Sequence, residues 1–490
     1  MNKRSAIIIG GGFGGLATAC ILGKEGWDVT LYEKNEQLGG RASVFKAKGF
    51  TFDMGPSWYL MPDVFERFFK LVGEDVNDYL ELQRLTPSYR VYFKDVYDTP
   101  YDIYGDLEKD KKTFNRLEPG SGAKLQEYLK RSEYVYHTAM DKFLYRNYDS
   151  VKDFISPSLA REGNKLSVFS NMDRYVKKYF KSPEIQKIME YPLVFLGSSP
   201  YNAPALYSLM SHVDFNQGVF YPKRGFGSVV DAIETIAKKY NVKFELNSPV
   251  TKIIVENGKA VGANINGQEH RADVIISNAD TYHTETSLLA PGQRDHSEKY
   301  WKSRTLAPSA LLMYLGVKGE LPNLLHHNLI FSKNWHQNFK QIFDNPQWPD
   351  DPSLYICNPS KTDSTVAPKN HENVFVLVPI PSGLSYTDKQ LEKYADKVLE
   401  TIETDTKSPN LRKNIVYKKL FCVKDFEDRY NSMSGTGLGL AHTLKQTAVF
   451  RPKNKSHKVK NLYFVGANTH PGIGVPVTLI SAELVTRRLL

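Results

Sequence analysis

"IIIGGGFGGLATACILGKEGWDVTLYEKNEQLGGRASVF", residues 7–45, decides the fold. Residues 5–9 make a short, β-branched, apolar run, which predicts a buried parallel strand. Gly10-x-Gly12-x-x-Gly15 follows at once, with Gly14 inside it, and residues 16–26 have the composition of a helix that ends at glycine. In such a turn the first glycine permits a tight bend, the second lets backbone approach a pyrophosphate, and the third lets helix and strand pack closely. The helix N-terminus then meets phosphate with unpaired N–H groups and the positive end of its dipole. The next strand, residues 28–32, ends at Glu33, which lies 18 residues beyond Gly15 and can accept hydrogen bonds from ribose hydroxyls. An acid there disfavours a 2′-phosphorylated nucleotide by charge repulsion. On these residues alone NAD and FAD are both open.

The C-terminus supplies a second unit of the same kind. "NLYFVGANTHPGIGVPVTLISAELVTRRL", residues 461–489, predicts a strand at 462–465, a glycine-rich loop, and a helix beginning near Pro476, where proline is tolerated. The nucleotide domain is therefore expected to be discontinuous, opened early in the chain and closed at its end. Between the two, residues 228–240 carry apolar positions at helical spacing. Strands are expected at 242–246, 250–256, 260–265 and 273–277, with Asn257-Gly258 and Asn266-Gly267 as hairpin turns. Residues 309–317, 328–332, 353–359 and 373–381 read as strands of a second, mostly antiparallel sheet, and residues 125–144 and 182–189 as helices of a cap.

Length and composition set the remaining bounds. A chain of 490 residues divides into two or more domains, and 41% apolar with 24% charged residues is the composition of a folded soluble protein. The net charge of +10 is spread along the chain, with short clusters at "EKDKK" (108–112) and "RPKNKSHKVK" (451–460). It predicts a solvated basic surface that attracts anionic lipid headgroups. No zinc-finger spacing or RNP-type signature supports a nucleic-acid partner. Cys20, Cys357 and Cys422 are too few and too far apart in sequence for a disulfide framework or a metal cluster, so a reducing compartment and no metal are expected. The apolar start is broken by glycines and belongs to the fold rather than to a signal peptide. The longest uncharged stretch, residues 191–213, contains prolines and is a poor bilayer-spanning helix; it is expected instead to touch lipid from one side.

At this point several segments together become specific: "GGRASVFKAKGFTFDMGPSWYLMPDVFERFF" (39–69), "PALYSLMSHVDFNQGVFYPKRGFGSVVDAI" (204–233), "NADTYHT" (278–284), "DPSLYICNPSKTDSTVAP" (351–368), "FEDRYNSMSGTGLGLAHTLKQTAVFRPKN" (426–454) and "NLYFVGANTHPGIGVP" (461–476). Their order along the whole chain resembles that of bacterial phytoene desaturases that use FAD alone and of C30 diapophytoene desaturases, within the flavin amine oxidase superfamily. Asn468 and "GVPVT" (474–478) depart from the commonest pattern of the closing loop. The resemblance implies an α/β fold: a discontinuous Rossmann-like FAD-binding domain of the glutathione-reductase type (residues 1–81, 220–290 and 426–490), a substrate-binding sheet lobe (82–110 and 291–425), and a helical cap with the membrane-contact region (111–219).

For the cofactor, the resemblance implies FAD held by Gly10, Gly12, Gly14, Gly15, Glu33, Lys34, Gly40, Arg41, Gly55, Pro56, Val250, Asn278, Gly466, Ala467, Gly474 and Val475, with Arg41 reaching back to the pyrophosphate. It implies desaturation of an apolar polyene, phytoene or diapophytoene, in carotenoid biosynthesis. Hydride passes to the flavin, a neighbouring proton is lost, and oxygen or a quinone takes the electrons. Asp153 is the expected base, and His470 the expected flavin partner or proton shuttle. The enzyme is expected in the cytoplasm, peripherally attached to the inner face of the cell membrane. Alternatives are a carotenoid oxygenase or isomerase, a flavin amine oxidase, and a non-catalytic FAD-binding assembly protein. The absence of any Cys after Cys422 excludes covalent flavin attachment near residues 466–474.

Overall fold

The computed structural model describes residues 3–94, 99–149 and 170–490, so Asp153 lies outside the described residues. Three separated parts of the chain build one parallel sheet, in the order Leu462–Phe464, Val274–Ser277, Ser5–Ile9, Asp28–Tyr32, Lys243–Glu245. After Ser5 the strand Ser5–Ile9 is apolar because both its faces are covered. Ala6 and Ile8 join one core cluster with helices Phe13–Lys24, Gly227–Lys239 and Val475–Thr486, while Ile7 and Ile9 join another beneath an antiparallel sheet. This is the period-2 alternation of a strand packed on two sides. The covering sheet consists of Val250–Glu256, Lys259–Ile265 and Gln268–Arg271. Its third strand carries mostly polar residues, which is why periodicity did not reveal it. Neighbours flank Ser5–Ile9 on both sides, so a crevice opens at the carboxyl ends of these strands, where ligands bind in open α/β sheets.

The second sheet has seven strands, in the order Ile415–Phe421, Ser309–Lys318, His371–Ile380, Leu354–Cys357, His327–Phe331, Tyr89–Phe93, Tyr101–Ile103. All its pairs are antiparallel except His327–Phe331 with Tyr89–Phe93. Along Ser309–Lys318, Ala310, Leu312 and Tyr314 face one core, and Leu311, Met313, Leu315 and Val317 face the other. The second core is closed by helix Asp388–Asp405, whose Tyr394, Ala395, Val398, Leu399 and Ile402 form a buried stripe. That helix was not among the sequence expectations, although it starts at a capping box: Gln390 N–H donates to Thr387 Oγ1 at 3.3 Å, and Thr387 N–H donates to Gln390 Oε1 at 2.8 Å.

The cap helix expected at 125–144 runs as Ser121–Ala139 and continues in a π-turn, Met140–Leu144. Pro183–Glu190 follows its Ser182 cap. Residues 191–213 require a correction. They are buried almost throughout, as part of the core and of a cavity wall, so their lack of charge reflects the protein interior rather than lipid contact. Among the described residues no helix is long and apolar enough to cross a membrane. Cross-strand pairing also sets Cys357 opposite His327, and with His326 these groups lie within 4.8 Å of one another. No spacing in the sequence announces that proximity.

Candidate active site

A cavity of about 490 Å³ begins at the carboxyl ends of the parallel sheet and continues beneath the seven-stranded sheet. Its first end is built by glycine. Gly12 backbone lies where a Cβ on Gly40 would approach to 3.1 Å, and a Cβ on Gly15 would meet the Gly10 carbonyl oxygen at 2.1 Å. Two chain segments, residues 10–15 and residue 40, thus close on one point without side chains between them. Gly10, Gly12, Gly14, Gly40, Gly466 and Gly474 all line the cavity there; Gly15 stands one layer behind, as the close helix–strand contact requires. Asn278 holds the turn by donating from Nδ2 to the Gly10 carbonyl at 3.2 Å. Helix Phe13–Lys24 points its first amides into this crevice. Helix Val475–Thr486 does the same from the other side, beginning after Gly474, with Val475 and Thr478 in the wall.

Glu33 is 5% exposed. Gly11 N–H donates to its Oε2 at 2.7 Å, and Asn35 N–H and Nδ2 donate to its Oε1 at 2.9 and 2.8 Å. The carboxylate is therefore fixed in position while keeping acceptor capacity toward the cavity it lines. Lys34 also lines the cavity, but its ammonium turns away, donating to the Asp428 carbonyl at 2.6 Å and to Asn431 Oδ1 at 2.9 Å. Ala467, Gly55, Pro56 and Val250 contribute to the same wall.

Two guanidinium groups face this end. Arg41 is partly buried and donates to the Thr436 carbonyl at 3.3 Å, while its buried Nε has no partner. Burial pulls its pKa down, and neighbouring Asp280 pushes it back up. Arg429 pairs with Glu36 at 2.7 Å and likewise has a buried Nε without a partner. Arg429 was missed by sequence reasoning, because its approach depends on the fold bringing helix Val423–Tyr430 against the first sheet. Asn468, at the position that departs from the common pattern, donates to Asp280 Oδ2 at 2.9 Å and accepts from Leu440 N–H at 3.0 Å. It ties the closing loop to Asp280, whose charge acts on nearby Arg41.

The second end of the cavity is apolar and aromatic. Trp58, Tyr191, Phe195, Leu312, Phe331 and Trp335 line it, drawn from three widely separated parts of the chain. Trp58 stacks on His327 with centroids 4.3 Å apart and planes at 7°. His327 Nδ1 lies 2.8 Å from the Tyr355 hydroxyl, which in turn is 2.6 Å from Ser57 Oγ. His470 is not part of the wall. Its Nε2 donates to the Arg146 carbonyl at 3.0 Å, its ring meets Tyr148 edge-on, and burial pushes its pKa down to about 4. The loop carrying it is shaped from behind by Arg451, which donates to the carbonyls of Thr469 and Ala467 at 3.1 and 2.6 Å.

A family model described as flavin containing amine oxidoreductase matches residues 13–490. A carotenoid 3,4-desaturase of Haloarcula japonica is 48% identical over 100% of this chain and 99% of its own length. A zeta-carotene-forming phytoene desaturase of Myxococcus xanthus is 35% identical over 99% and 94% of the two chains. A 4,4'-diapophytoene desaturase of Staphylococcus haemolyticus is 34% identical over 99% and 98%. The chain belongs to the flavin-containing amine oxidoreductases, in their carotenoid-desaturase branch. A solved oxidoreductase from Methanosarcina mazei shares the fold, with a TM-score of 0.64 at 17% identity over 99% and 100% of the two chains.

The protein is an FAD-dependent oxidoreductase. The first end of the cavity fits this cofactor on its own geometry: a side-chain-free glycine cradle, two helix N-termini, two guanidinium groups with unpartnered buried nitrogens, and a fixed carboxylate at ribose distance along the motif.

Proposed function

We propose that the enzyme desaturates a C40 or C30 polyene in carotenoid biosynthesis. The observation that carries this reading is the continuity of the cavity: a wall suited to phosphate and ribose passes into a wall of aromatic and aliphatic side chains. A polyene has no polar handle, so such a wall can hold it only by shape and burial. In this reading residues 1–81, 220–290 and 426–490 bind the cofactor, with Arg41 and Arg429 toward its pyrophosphate and Glu33 toward its ribose. Residues 82–110 and 291–425 form the roof over the substrate, and 111–219 the cap. Bound there, the flavin supplies a two-electron acceptor for hydride from an allylic carbon. The chain's own residues exclude water, hold the polyene along the aromatic wall, and set which carbon pair faces the polar end.

Oxygen or a quinone is the proposed final acceptor. The proposed working location is the cytoplasmic face of a membrane, where such substrates dissolve. Exposed Phe450 and Leu444, at 56% and 39%, with exposed Lys445 beside Leu444 in the chain, offer a contact that combines apolar insertion with attraction to anionic lipid. The relative at 48% identity is named for 3,4-desaturation, whereas those at 35% and 34% are named for phytoene and diapophytoene, which makes the position of the new double bond the open variable. The test is incubation of the holoenzyme with phytoene, with diapophytoene, and with an already conjugated C40 carotenoid, each in liposomes. The expected result is a product two hydrogens lighter and red-shifted from one of the three. An oxygenated or merely isomerised product would overturn the reading.

A further inference from the structure

Desaturation releases a proton into the driest part of the cavity, and the structure offers a place for it. Asp214 is 3% exposed and lies in the turn His212–Gln217. Its Oδ2 accepts from the hydroxyls of Tyr89 and Tyr191, at 2.8 and 2.9 Å, and its Oδ1 has no partner. Tyr191 lines the apolar end of the cavity, packed beside Trp58, Phe195 and Phe331. We propose that Tyr191, backed by Asp214, takes up the proton lost by the polyene. The proposal rests on the desaturase reading given above.

The step balances as follows. The allylic C–H bond breaks with its electron pair leaving as hydride to the flavin, so the polyene is oxidised by two electrons and the flavin reduced. The neighbouring C–H bond breaks with its electrons forming the new C=C bond. Its proton passes to the Tyr191 oxygen as the Tyr191 hydroxyl proton passes to the Asp214 carboxylate. Tyr191 ends unchanged and Asp214 ends neutral.

Three other polar groups of the cavity, two at this end and one at the other, are poorer acceptors. Trp335 donates to the buried carboxyl of Glu190 at 2.7 Å, but an indole N–H has no lone pair with which to receive a proton. Tyr355 is backed by His327, whose protonation would place a cation in a dry interior; burial holds that ring well below its ordinary pKa. Asp280 stands at the polar end, where the positive charge of nearby Arg41 favours its ionised form. Asp214, by contrast, loses its charge on protonation, the favoured direction in low dielectric. Burial is the main cause that pushes its pKa up to about 7, with Asp110 adding to it while Tyr89 and Tyr191 hold it down. An acceptor must be unprotonated, so the rate should rise with pH through this group.

Anaerobic stopped-flow measurement of flavin reduction tests this, with whichever of phytoene, diapophytoene or the conjugated carotenoid the parent enzyme uses, from about pH 5.5 to about pH 9. The parent should show one inflection. Asp214→Asn should reduce flavin about 10²–10⁴-fold more slowly, without that inflection, at unchanged flavin content. Tyr191→Phe, which keeps the ring and leaves Asp214 bonded to Tyr89, should be slowed to the same range. Should Asp214→Asn fail to hold flavin, Tyr191→Phe decides alone. Variants within about threefold of the parent, with the inflection retained, overturn the proposal and leave the desaturase reading standing. A parent whose flavin no polyene reduces overturns both.

Discussion

The two ends of the cavity are made of different material. The nucleotide end is backbone: glycines close on one another, amides point inward, and the Glu33 carboxylate is held by three hydrogen bonds. The polyene end is side chains, from residues 54–61, 191–210, 309–335 and 353–379, held mainly by burial, with hydrogen bonds at Tyr191, Trp335 and Tyr355. Backbone geometry of this kind tolerates almost no substitution, because a single added methyl meets main chain. An aromatic wall tolerates exchange of one apolar group for another. The difference teaches that the cofactor is fixed by spacing and the substrate by volume, and each end can be challenged on those terms.

The largest effect is expected at Gly15. Gly15→Val puts its Cβ 2.1 Å from the Gly10 carbonyl oxygen, with no flexible neighbour to yield. A cost of about 3 kcal/mol or more is expected, with no flavin retained on purification, as read by absorbance and thermal unfolding. Retention of flavin would show that the strand and helix can separate. Next comes Glu33→Ala, which removes a charged acceptor and also releases the Gly11 amide. Roughly 1.5–3 kcal/mol should be lost, about ten- to a hundredfold in flavin affinity by titration, whereas equal affinity would mean that the acid serves only the loop.

The apolar end is sharpened by Glu190, which is 1% exposed and whose carboxyl burial pushes up to about 8. The folded state keeps that proton at pH values where the unfolded chain has lost it. Its stabilising contribution is therefore complete below the unfolded value and is lost as pH rises through the folded one. Glu190→Gln should gain on the parent by roughly 1 kcal/mol per pH unit between about pH 5 and about pH 8, measured by denaturant unfolding. A pH-independent difference would mean that Glu190 is ionised in the fold. The smallest effect is expected for Phe195→Leu, a cavity-lining, partly buried ring. Loss of aromatic contact should lower kcat/KM for the polyene by roughly two- to tenfold, about 1 kcal/mol, with flavin affinity unchanged. A change in flavin affinity instead would erase the division between the two ends.

The same division explains what could be read from the chain. The strand–glycine–helix units at residues 5–26 and 461–489 were legible because each rests on local spacing, and every glycine of the first turn stands where that spacing puts it. Arg429 was not legible as a cofactor-facing group, because its position follows from packing between segments almost 400 residues apart. Asp214 and Tyr191 were not legible either, since a lone acid in an apolar run gains meaning only when two tyrosines from distant elements converge on it. Residues 191–213 show the converse error. An uncharged stretch identifies burial, and only the fold says whether protein or lipid does the burying.

The central claim is that flavin and polyene occupy the two ends of one cavity, so that electrons pass directly between them. Anaerobic mixing of the holoenzyme with a liposomal polyene tests it most directly, following flavin absorbance and polyene spectrum in the same cell. The expected result is bleaching of one flavin per new double bond, with both changes at a single rate. Polyene conversion without bleaching, or bleaching without a red-shifted product, would contradict the account.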